Sequence, residues 1–237
     1  MEITELQLLN YLRCPIEYDY RYNKNIYLEE KVSMVKALNL ISTYFYMNLI
    51  NGKVLSTSAL KRKWDSICSK HRLSPQQCVE GLGQIMKMYM WANNEELLVQ
   101  STDIAYSFVV NIKPKKYIDF NGEITTTVAI DRTGEPYLLI TDFSNKNPNQ
   151  SVLDIKLKYT LDCYAYYKIY NKKLNIKLHH VKTNKDYFTT RGNEDFNKLE
   201  ITIRNVANSI LDNIYYPRES VLCGSCNYIN FCKAWRP

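Results

Sequence analysis

CGSCNYINFC, residues 223–232, is the stretch of sequence that most constrains the fold of this protein. Its three cysteines, Cys223, Cys226 and Cys232, have the spacing C-x2-C-x5-C. Two thiolates separated by two residues can converge on one metal centre, and Gly224 between them permits a tight turn. Because tetrahedral coordination needs a fourth ligand, Cys14 in the YLRCP stretch near the other end of the chain is the candidate.

The seven cysteines are an odd number, which argues against a disulfide framework. Zinc and an iron–sulfur cluster both accept four thiolates, so the ligand type leaves both metals open. Metal-free buried thiols are the third alternative for the three C-terminal cysteines. For Cys68, Cys78 and Cys163 that alternative is the prediction.

Length and composition describe an ordinary globular protein. The chain has 237 residues, 46% of them apolar and 23% charged, which fits one domain spanning 1–237. No uninterrupted apolar run of about 18 residues is present, so no membrane partner is expected. The opening MEITELQLLN lacks the features of an export signal, and the expected location is the cytoplasm. The net charge of +7 suits a polyanionic partner.

Hydrophobic periodicity predicts an α/β fold with a mixed central sheet flanked by helices. A helical block covers about 30–97, with helix starts and stops at Ser74-Pro75 and Asn51-Gly52. A C-terminal helix and the cysteine cluster occupy 195–237. The sheet core, about 99–190, contains stretches rich in β-branched and aromatic residues, which predict four strands: 99–112, 117–131, 136–144 and 174–178.

The element order, the early LxxYLRCPIEYDYRY stretch and the terminal C-x2-C-x5-C together resemble the PD-(D/E)XK nuclease superfamily. The resemblance is to its iron–sulfur branch, which includes RecB/AddB-like nucleases and CRISPR-adaptation nucleases. It implies a restriction-endonuclease-like core and a 4Fe-4S cluster that staples the two ends of the fold. The residues that match the branch are the four cysteine ligands and two residues after the first of them: Cys14, Cys223, Cys226, Cys232, Tyr18 and Arg21.

The same resemblance implies a degenerate active site. The superfamily uses a Gly-x-x-Asp stretch and then Asp/Glu-x-Lys, where the carboxylates hold Mg²⁺ or Mn²⁺. Here Thr125 stands at the first carboxylate, and Asp142 is retained but Ser144 replaces the lysine. Thr160 replaces the glutamine of the following helix, and residues 32–49 lack the histidine of the early helix. We therefore expect a catalytically inactive nuclease fold.

Such a fold is expected to bind DNA, single- or double-stranded, or a partner protein in a replication, recombination or transcription assembly. The Asn-, Lys-, Ile- and Tyr-rich composition indicates a phage or mobile element, and hence the host cytoplasm. The 20 tyrosines offer stacking surfaces for unpaired bases. The candidate phosphate contacts are basic residues in three parts of the chain: Arg13, Arg21, Lys113, Lys115, Lys116 and Arg191.

Two other functions remain open. A shifted alignment brings Asp131 and Lys146 into the site, which gives an active Mg²⁺- or Mn²⁺-dependent DNA exonuclease or endonuclease with a rearranged active site. Alternatively, side chains fill the old groove, and the protein is a purely structural subunit.

Overall fold

The chain divides into two compact units in the computed structural model, which describes residues 2–28, 32–232 and 234. Unit 1 comprises Met1–Glu30, Ala105–Glu123 and Glu194–Pro237. Unit 2 comprises Lys31–Ile104 and Ile124–Asn193. The predicted domain of residues 1–237 spans both units.

The described elements follow one another along the chain in mixed α/β order. They are β1 (Glu2–Thr4), α1 (Glu5–Arg13), α2 (Pro15–Tyr18), a π-helical turn (Asp19–Asn23), α3 (Met34–Ile50), α4 (Thr57–His71), α5 (Pro75–Asn94), β2 (Leu98–Ser101), β3 (Ile104–Lys113), β4 (Lys116–Ile124), β5 (Thr127–Ile130), β6 (Pro136–Asp142), α6 (Gln150–Ile155), α7 (Leu157–Tyr170), β7 (Asn175–His180), β8 (Lys185–Thr189), α8 (Asn193–Leu211) and a 3₁₀ turn (Val221–Ser225). None of the helices in this part of the chain is both long enough and apolar enough to cross a bilayer.

Unit 1 contains a three-stranded sheet in the order β1-β4-β3. β1 runs parallel to β4 and places Ile3 opposite Phe120, and both side chains are buried. The apolar stripe predicted for the C-terminal helix is confirmed in α8. All five of its residues are buried: Phe196, Leu199, Ile203, Val206 and Ile210.

Unit 2 contains a five-stranded mixed sheet in the order β2-β5-β6-β7-β8. Only the β6–β7 pair is parallel, and α6 and α7 form the connection between these two strands. The predicted helical block is present as α3, α4 and α5. Its boundaries at Asn51-Gly52 and Ser74-Pro75 are confirmed, since Gly52 has φ +67° and Ser74 caps α5 through the amide of Gln77.

The predicted strands 99–112 and 117–131 each break in two, so the meander that they predicted is wrong. The first breaks before Asp103, whose φ of 54° is left-handed and cannot continue a strand. The second breaks at Thr125 and Thr126. In each case one half joins the three-stranded sheet and the other joins the five-stranded sheet. The edge strand β8 was not predicted, because its sequence KDYFT lacks a clear apolar alternation.

Gly81 allows α4 and α5 to approach each other. A Cβ at Gly81 would lie 2.2 Å from the Trp64 ring, and the Trp64 indole donates a hydrogen bond to the carbonyl of Cys78 at 2.8 Å. The indole is 1% exposed, so it has little room to move. Packing between these two helices therefore requires a residue without a side chain at this position.

We expect Gly81→Ala to lower the free energy of unfolding by about 1–3 kcal/mol, because the new methyl group displaces a buried indole. Gly83 on the same helix is the matched control, since nothing lies within 4 Å of its Cβ position. Gly83→Ala should raise stability by about 0.5–1 kcal/mol through the higher helix propensity of alanine. Urea denaturation of both variants measures the difference. Equal effects would contradict this account of α4–α5 packing.

Candidate functional site

The carboxylate of Asp142, at the end of β6, is held by the residue that stands where a lysine was expected. The backbone N–H of Ser144 donates to Asp142 Oδ1 at 2.8 Å, and the Ser144 hydroxyl lies 3.0 Å from Asp142 Oδ2. The same hydroxyl lies 3.0 Å from the carbonyl oxygen of Lys146. Asp142 Oδ1 thus accepts from the Ser144 amide, while the single hydroxyl proton of Ser144 is shared between Asp142 Oδ2 and the carbonyl oxygen of Lys146. A neutral hydroxyl stands where the resemblance led us to expect an ammonium group.

His180 lies at the same edge of the sheet as Asp142. It is opposite Asp142 in the parallel register and is fully buried. Its Nε2 lies 3.0 Å from the Ser144 carbonyl oxygen, and its Nδ1 lies 2.7 Å from the Thr183 hydroxyl. Because a carbonyl only accepts, Nε2 donates to the Ser144 carbonyl oxygen. His180 therefore fixes the loop after Asp142.

Thr125, at the position expected for the first carboxylate, is exposed in the connection between β4 and β5. Its neighbour Thr126 donates to Oδ2 of Asp162 at 2.6 Å, and Lys158 approaches Oδ1 of the same carboxylate at 2.8 Å. Asp162 is 0% exposed. A buried carboxylate is stable only when paired, and here a lysine and a threonine provide the partners. This pairing could not be predicted from a local sequence pattern, since Thr126 lies 36 residues from Asp162.

Thr160, at the expected glutamine position on α7, accepts a hydrogen bond from a buried arginine. Arg191 is 4% exposed, and its Nε donates to the Thr160 hydroxyl at 2.8 Å. Its other donors reach Thr189 Oγ1 and the carbonyls of Thr190 and Leu153 at 2.7–2.8 Å. Arg191 therefore links α6, α7 and the end of β8. Contact with a phosphate would require these bonds to break.

Gly122, the first residue of the expected Gly-x-x-Asp stretch, has a packing role in unit 1. A Cβ there would lie 2.3 Å from the Tyr106 hydroxyl and 2.9 Å from Glu5 Cβ. The Tyr106 hydroxyl donates to the buried carboxylate of Glu5 at 2.8 Å. Glycine at this position therefore makes room for a buried tyrosine–carboxylate pair.

Asp131, which the shifted alignment would bring into the site, lies at the opposite end of β6 from Asp142. Asp131 is in the turn before β6, whereas Asp142 ends that strand, and seven residues of extended chain span about 20 Å. Hydrogen bonds from the Thr133 hydroxyl and from the Glu135 amide lower the pKa of Asp131. Its carboxylate thus stabilises its own turn. Lys146 is exposed in the loop after β6.

The four candidate cysteine ligands all belong to unit 1, and all are free and partly exposed. Burial raises the pKa of the Cys226 thiol, and the charges of Glu17, Cys14 and Cys223 raise it further. These groups are therefore close enough to act on one another electrostatically. Cys14 precedes α2, while Cys223 and Cys226 lie in and just after the 3₁₀ turn, 209 and more residues along the chain.

Hydrogen bonds to backbone carbonyls hold the N-terminal and C-terminal segments of unit 1 together. The Tyr11 hydroxyl donates to the carbonyl of Ile214 at 2.6 Å, and the Ile16 amide donates to the carbonyl of Tyr216 at 3.2 Å. The Tyr228 hydroxyl donates to the carbonyl of Ile26 at 2.8 Å. The N-terminal helices and the cysteine segment are thus juxtaposed by protein contacts alone.

The fit to a four-thiolate metal centre is partial. The donor types are right, and Cys226 lies near Cys14 and Cys223. However, among residues 2–28, 32–232 and 234, no three His, Cys, Asp or Glu side chains are placed as ligands of one metal ion. The chain therefore brings the ligand segments together without presenting a preformed site.

The remaining phosphate-contact candidates lie in unit 1, where most of them have other partners. Arg13 forms an ion pair with Glu17, and Lys113 lies 3.8 Å from Asp212. Arg21 is half-buried in the π-helical turn. Lys115 and Lys116 are exposed where Pro114 and Lys115 connect β3 to β4.

Positive charge is concentrated in unit 2. By sequence, unit 2 has 20 lysines and arginines against 11 acidic residues, whereas unit 1 has 11 against 13. The net positive charge of the chain therefore belongs to unit 2, whereas most of the basic residues predicted to contact phosphate belong to unit 1.

A histidine–aspartate pair in unit 2 was missed by the sequence analysis. His179 stacks on Trp91 with ring centroids 3.9 Å apart, and its Nδ1 donates to Asp186 at 2.8 Å. Burial raises the pKa of Asp186, but hydrogen bonds from His179 and Lys177 outweigh that effect, and the net pKa is lowered. The stacking of His179 on Trp91 packs the sheet against α5. Because His179 is 1% exposed, its imidazole ring is not accessible to a reactant.

A cleft of about 490 Å³ lies beside this pair in unit 2. Its lining includes Tyr137, Lys177 and Phe188 from three adjacent strands and Glu95 after α5. Lys177 is held between Glu95 at 3.2 Å and Asp186 at 2.9 Å. Its ammonium group is therefore already neutralised by carboxylates.

Comparison with solved structures shows a nuclease-like fold. The chain aligns with a provisionally named exonuclease from Eubacterium rectale at a TM-score of 0.56 and 8% identity, covering 96% of this chain and 87% of that one. It also aligns with the protein SSO0001 at a TM-score of 0.41 and 14% identity, covering 98% and 97% of the two chains, a likeness too low to carry an argument. No family model matches the sequence, and no curated protein matches it.

We expect Arg191→Lys to lower the free energy of unfolding by about 2–4 kcal/mol, because a lysine cannot satisfy the planar set of acceptors around the guanidinium. The control is Arg132→Lys at an exposed turn position, which should change stability by no more than about 0.5 kcal/mol. Chemical denaturation measures both. A loss below about 1 kcal/mol for Arg191→Lys would show that these bonds are replaceable.

Proposed function

We propose that this protein is a catalytically inactive relative of PD-(D/E)XK nucleases that binds nucleic acid without cutting it. The observation that carries the proposal is the surroundings of Asp142, whose Oδ1 accepts from the Ser144 amide and whose Oδ2 lies 3.0 Å from the neutral Ser144 hydroxyl. The nuclease-like fold supports it at the level of architecture. The excess of positive charge in unit 2 supports a polyanionic partner.

The chemical argument concerns the metal and the developing charge. Mg²⁺ requires several oxygen ligands, and a neighbouring second carboxylate normally shares the task with the first. Thr125 brings only an exposed hydroxyl to that position. Ser144 is neutral and therefore cannot stabilise negative charge on a phosphate as lysine does.

The test of inactivity uses labelled single- and double-stranded DNA, Mn²⁺ and anaerobically prepared protein. We expect no cleavage by the wild type, and Asp142→Ala should behave identically. Cleavage that disappears in Asp142→Ala would establish the active-nuclease alternative and overturn the proposal. Cleavage that persists in Asp142→Ala does not arise from this site.

Nucleic-acid binding is tested separately by fluorescence anisotropy over a range of salt concentrations. A phosphate-binding protein loses affinity steeply as salt rises. Absence of binding at low salt would refute the DNA-binding part of the proposal and favour a purely structural subunit. The assembly and the phage or mobile-element context remain predictions from sequence.

We further propose that Cys14, Cys223, Cys226 and Cys232 bind a 4Fe-4S cluster that cross-links the two ends of unit 1. When bound, such a group adds covalent links to an arrangement that hydrogen bonds already favour. The hydrogen bonds from the Tyr20 hydroxyl to the carbonyl of Phe231 and from the Tyr228 hydroxyl to the carbonyl of Ile26 join the two segments that carry these cysteines and support this ligand set. Zinc is the alternative metal for the same thiolates.

Cys14→Ser should lower both the bound iron and the stability of the anaerobically purified protein, since metal binding and folding are linked in such sites. Cys78→Ser, which alters a partly exposed cysteine outside the proposed ligand set, should keep the wild-type iron content. Elemental analysis, visible absorption and thermal unfolding measure the effects. An equimolar zinc content without iron would show that the four cysteines bind zinc and not a 4Fe-4S cluster. Purified protein that contains neither metal would refute the proposed metal site.

A further inference from the structure

α4 and the residues beside it carry six cations against one carboxylate. The cations are spread over residues 53–72, and all are exposed: Lys53, Lys61, Arg62, Lys63, Lys70 and Arg72. The carboxylate is Asp65. A surface on which one sign of charge predominates attracts ligands of the opposite sign, so this surface favours a polyanion.

These cations are not neutralised within the part of the chain that the structure describes. Salt bridges in unit 2 engage Lys158, Lys172 and Lys177, but none of the basic residues of α4. Lys63 instead lies over the ring of Tyr44, with its ammonium group 5.0 Å from the centroid. The other α4 cations therefore point their charge to solvent.

Packing on the opposite side fixes which face of α4 is outward. Leu60, Trp64, Ile67 and Cys68 are buried in the core of unit 2. The hydrogen bond from the Trp64 indole to the carbonyl of Cys78 and the close packing of the indole on Gly81 hold α4 against α5. The basic residues therefore lie outside the face that packs on the core.

The side chains between the cations suit phosphate and not lipid. Thr57, Ser58, Ser66 and Ser69 are exposed on the same helix, and hydroxyls commonly join Lys and Arg in contacts with nucleic-acid backbones. α4, which is described throughout, exposes no large apolar side chain. A helix that lies on a membrane needs an apolar face to insert, and that face of α4 is already buried.

From these observations we propose that the outward face of α4 is the surface that holds the sugar–phosphate backbone of DNA or RNA. The proposal rests on the nucleic-acid binding proposed above and assigns it to a surface separate from the β6 edge that contains Asp142. Because only backbone charge is engaged, binding through this surface is insensitive to base sequence.

The decisive variant is Lys61→Gln/Arg62→Gln/Lys70→Gln. Its matched control, Lys173→Gln/Lys182→Gln/Lys185→Gln, removes the same charge from exposed positions of unit 2 outside α4. Anisotropy with labelled single-stranded and duplex DNA at several salt concentrations should show an affinity loss of at least about tenfold for the α4 variant. Its slope of log affinity against log salt should fall by about 2–3, since each lost phosphate contact removes about 0.7–0.9. The control should lose far less.

Three outcomes would overturn the proposal. If wild-type protein binds DNA and the two triple variants lose affinity equally, or the α4 variant loses less, the surface is wrong while the proposed function stands. If wild-type protein binds no DNA, the proposed function fails and this inference fails with it. If phosphatidylserine vesicles bind in an α4-dependent manner but DNA does not, the partner is a membrane.

Folding is controlled in the same experiment. The three substituted side chains are exposed, so thermal unfolding should stay close to that of the wild type. The charge-conserving variant Lys61→Arg/Lys70→Arg should retain full affinity. Loss of binding in that variant would show that charge is not the determinant and would count against the proposal.

Discussion

The parallel pairing of β6 with β7 is the constraint on which the candidate site of unit 2 depends. Parallel neighbours cannot be joined by a tight turn, so the chain must return through a crossover connection. α6 and α7 provide it. The resulting register places Asp142 beside His180. Asp162 lies on α7, and Arg191 contacts the same connection at Leu153 of α6 and Thr160 of α7.

Around this pairing, polar groups that would act on a substrate in a nuclease are engaged with protein. Asp142 accepts from Ser144, and Thr160 accepts from Arg191. Buried polar groups must find partners, and here the partners come from within the unit. These residues therefore contribute hydrogen bonds to the fold. In the function that we propose, phosphate binding at α4 is separate from the β6 edge that contains Asp142.

Helices with clear periodicity and caps were predictable from the sequence. α5 begins at Ser74-Pro75 and α8 carries one unbroken apolar stripe, because these features act over a few residues. The boundaries of the strands were harder to predict from the sequence. The breaks at Asp103 and Thr125 assign consecutive strands to different sheets, and β8 depends on its pairing with β7 more than on its own composition. Such choices are made by contacts between distant segments, which local patterns do not record.

The sequence by itself determined the residue types at the degenerate positions, the four cysteines near the two ends and the total charge of +7. It also determined that a neutral Ser144 follows Asp142 at the spacing of a missing lysine. Only the tertiary structure decided that Arg191 is an internal bridge and not a phosphate contact, and that the cations of α4 face solvent together. The reason is that burial and pairing depend on neighbours brought from far along the chain, such as Leu153 for Arg191 and Gly81 for Trp64.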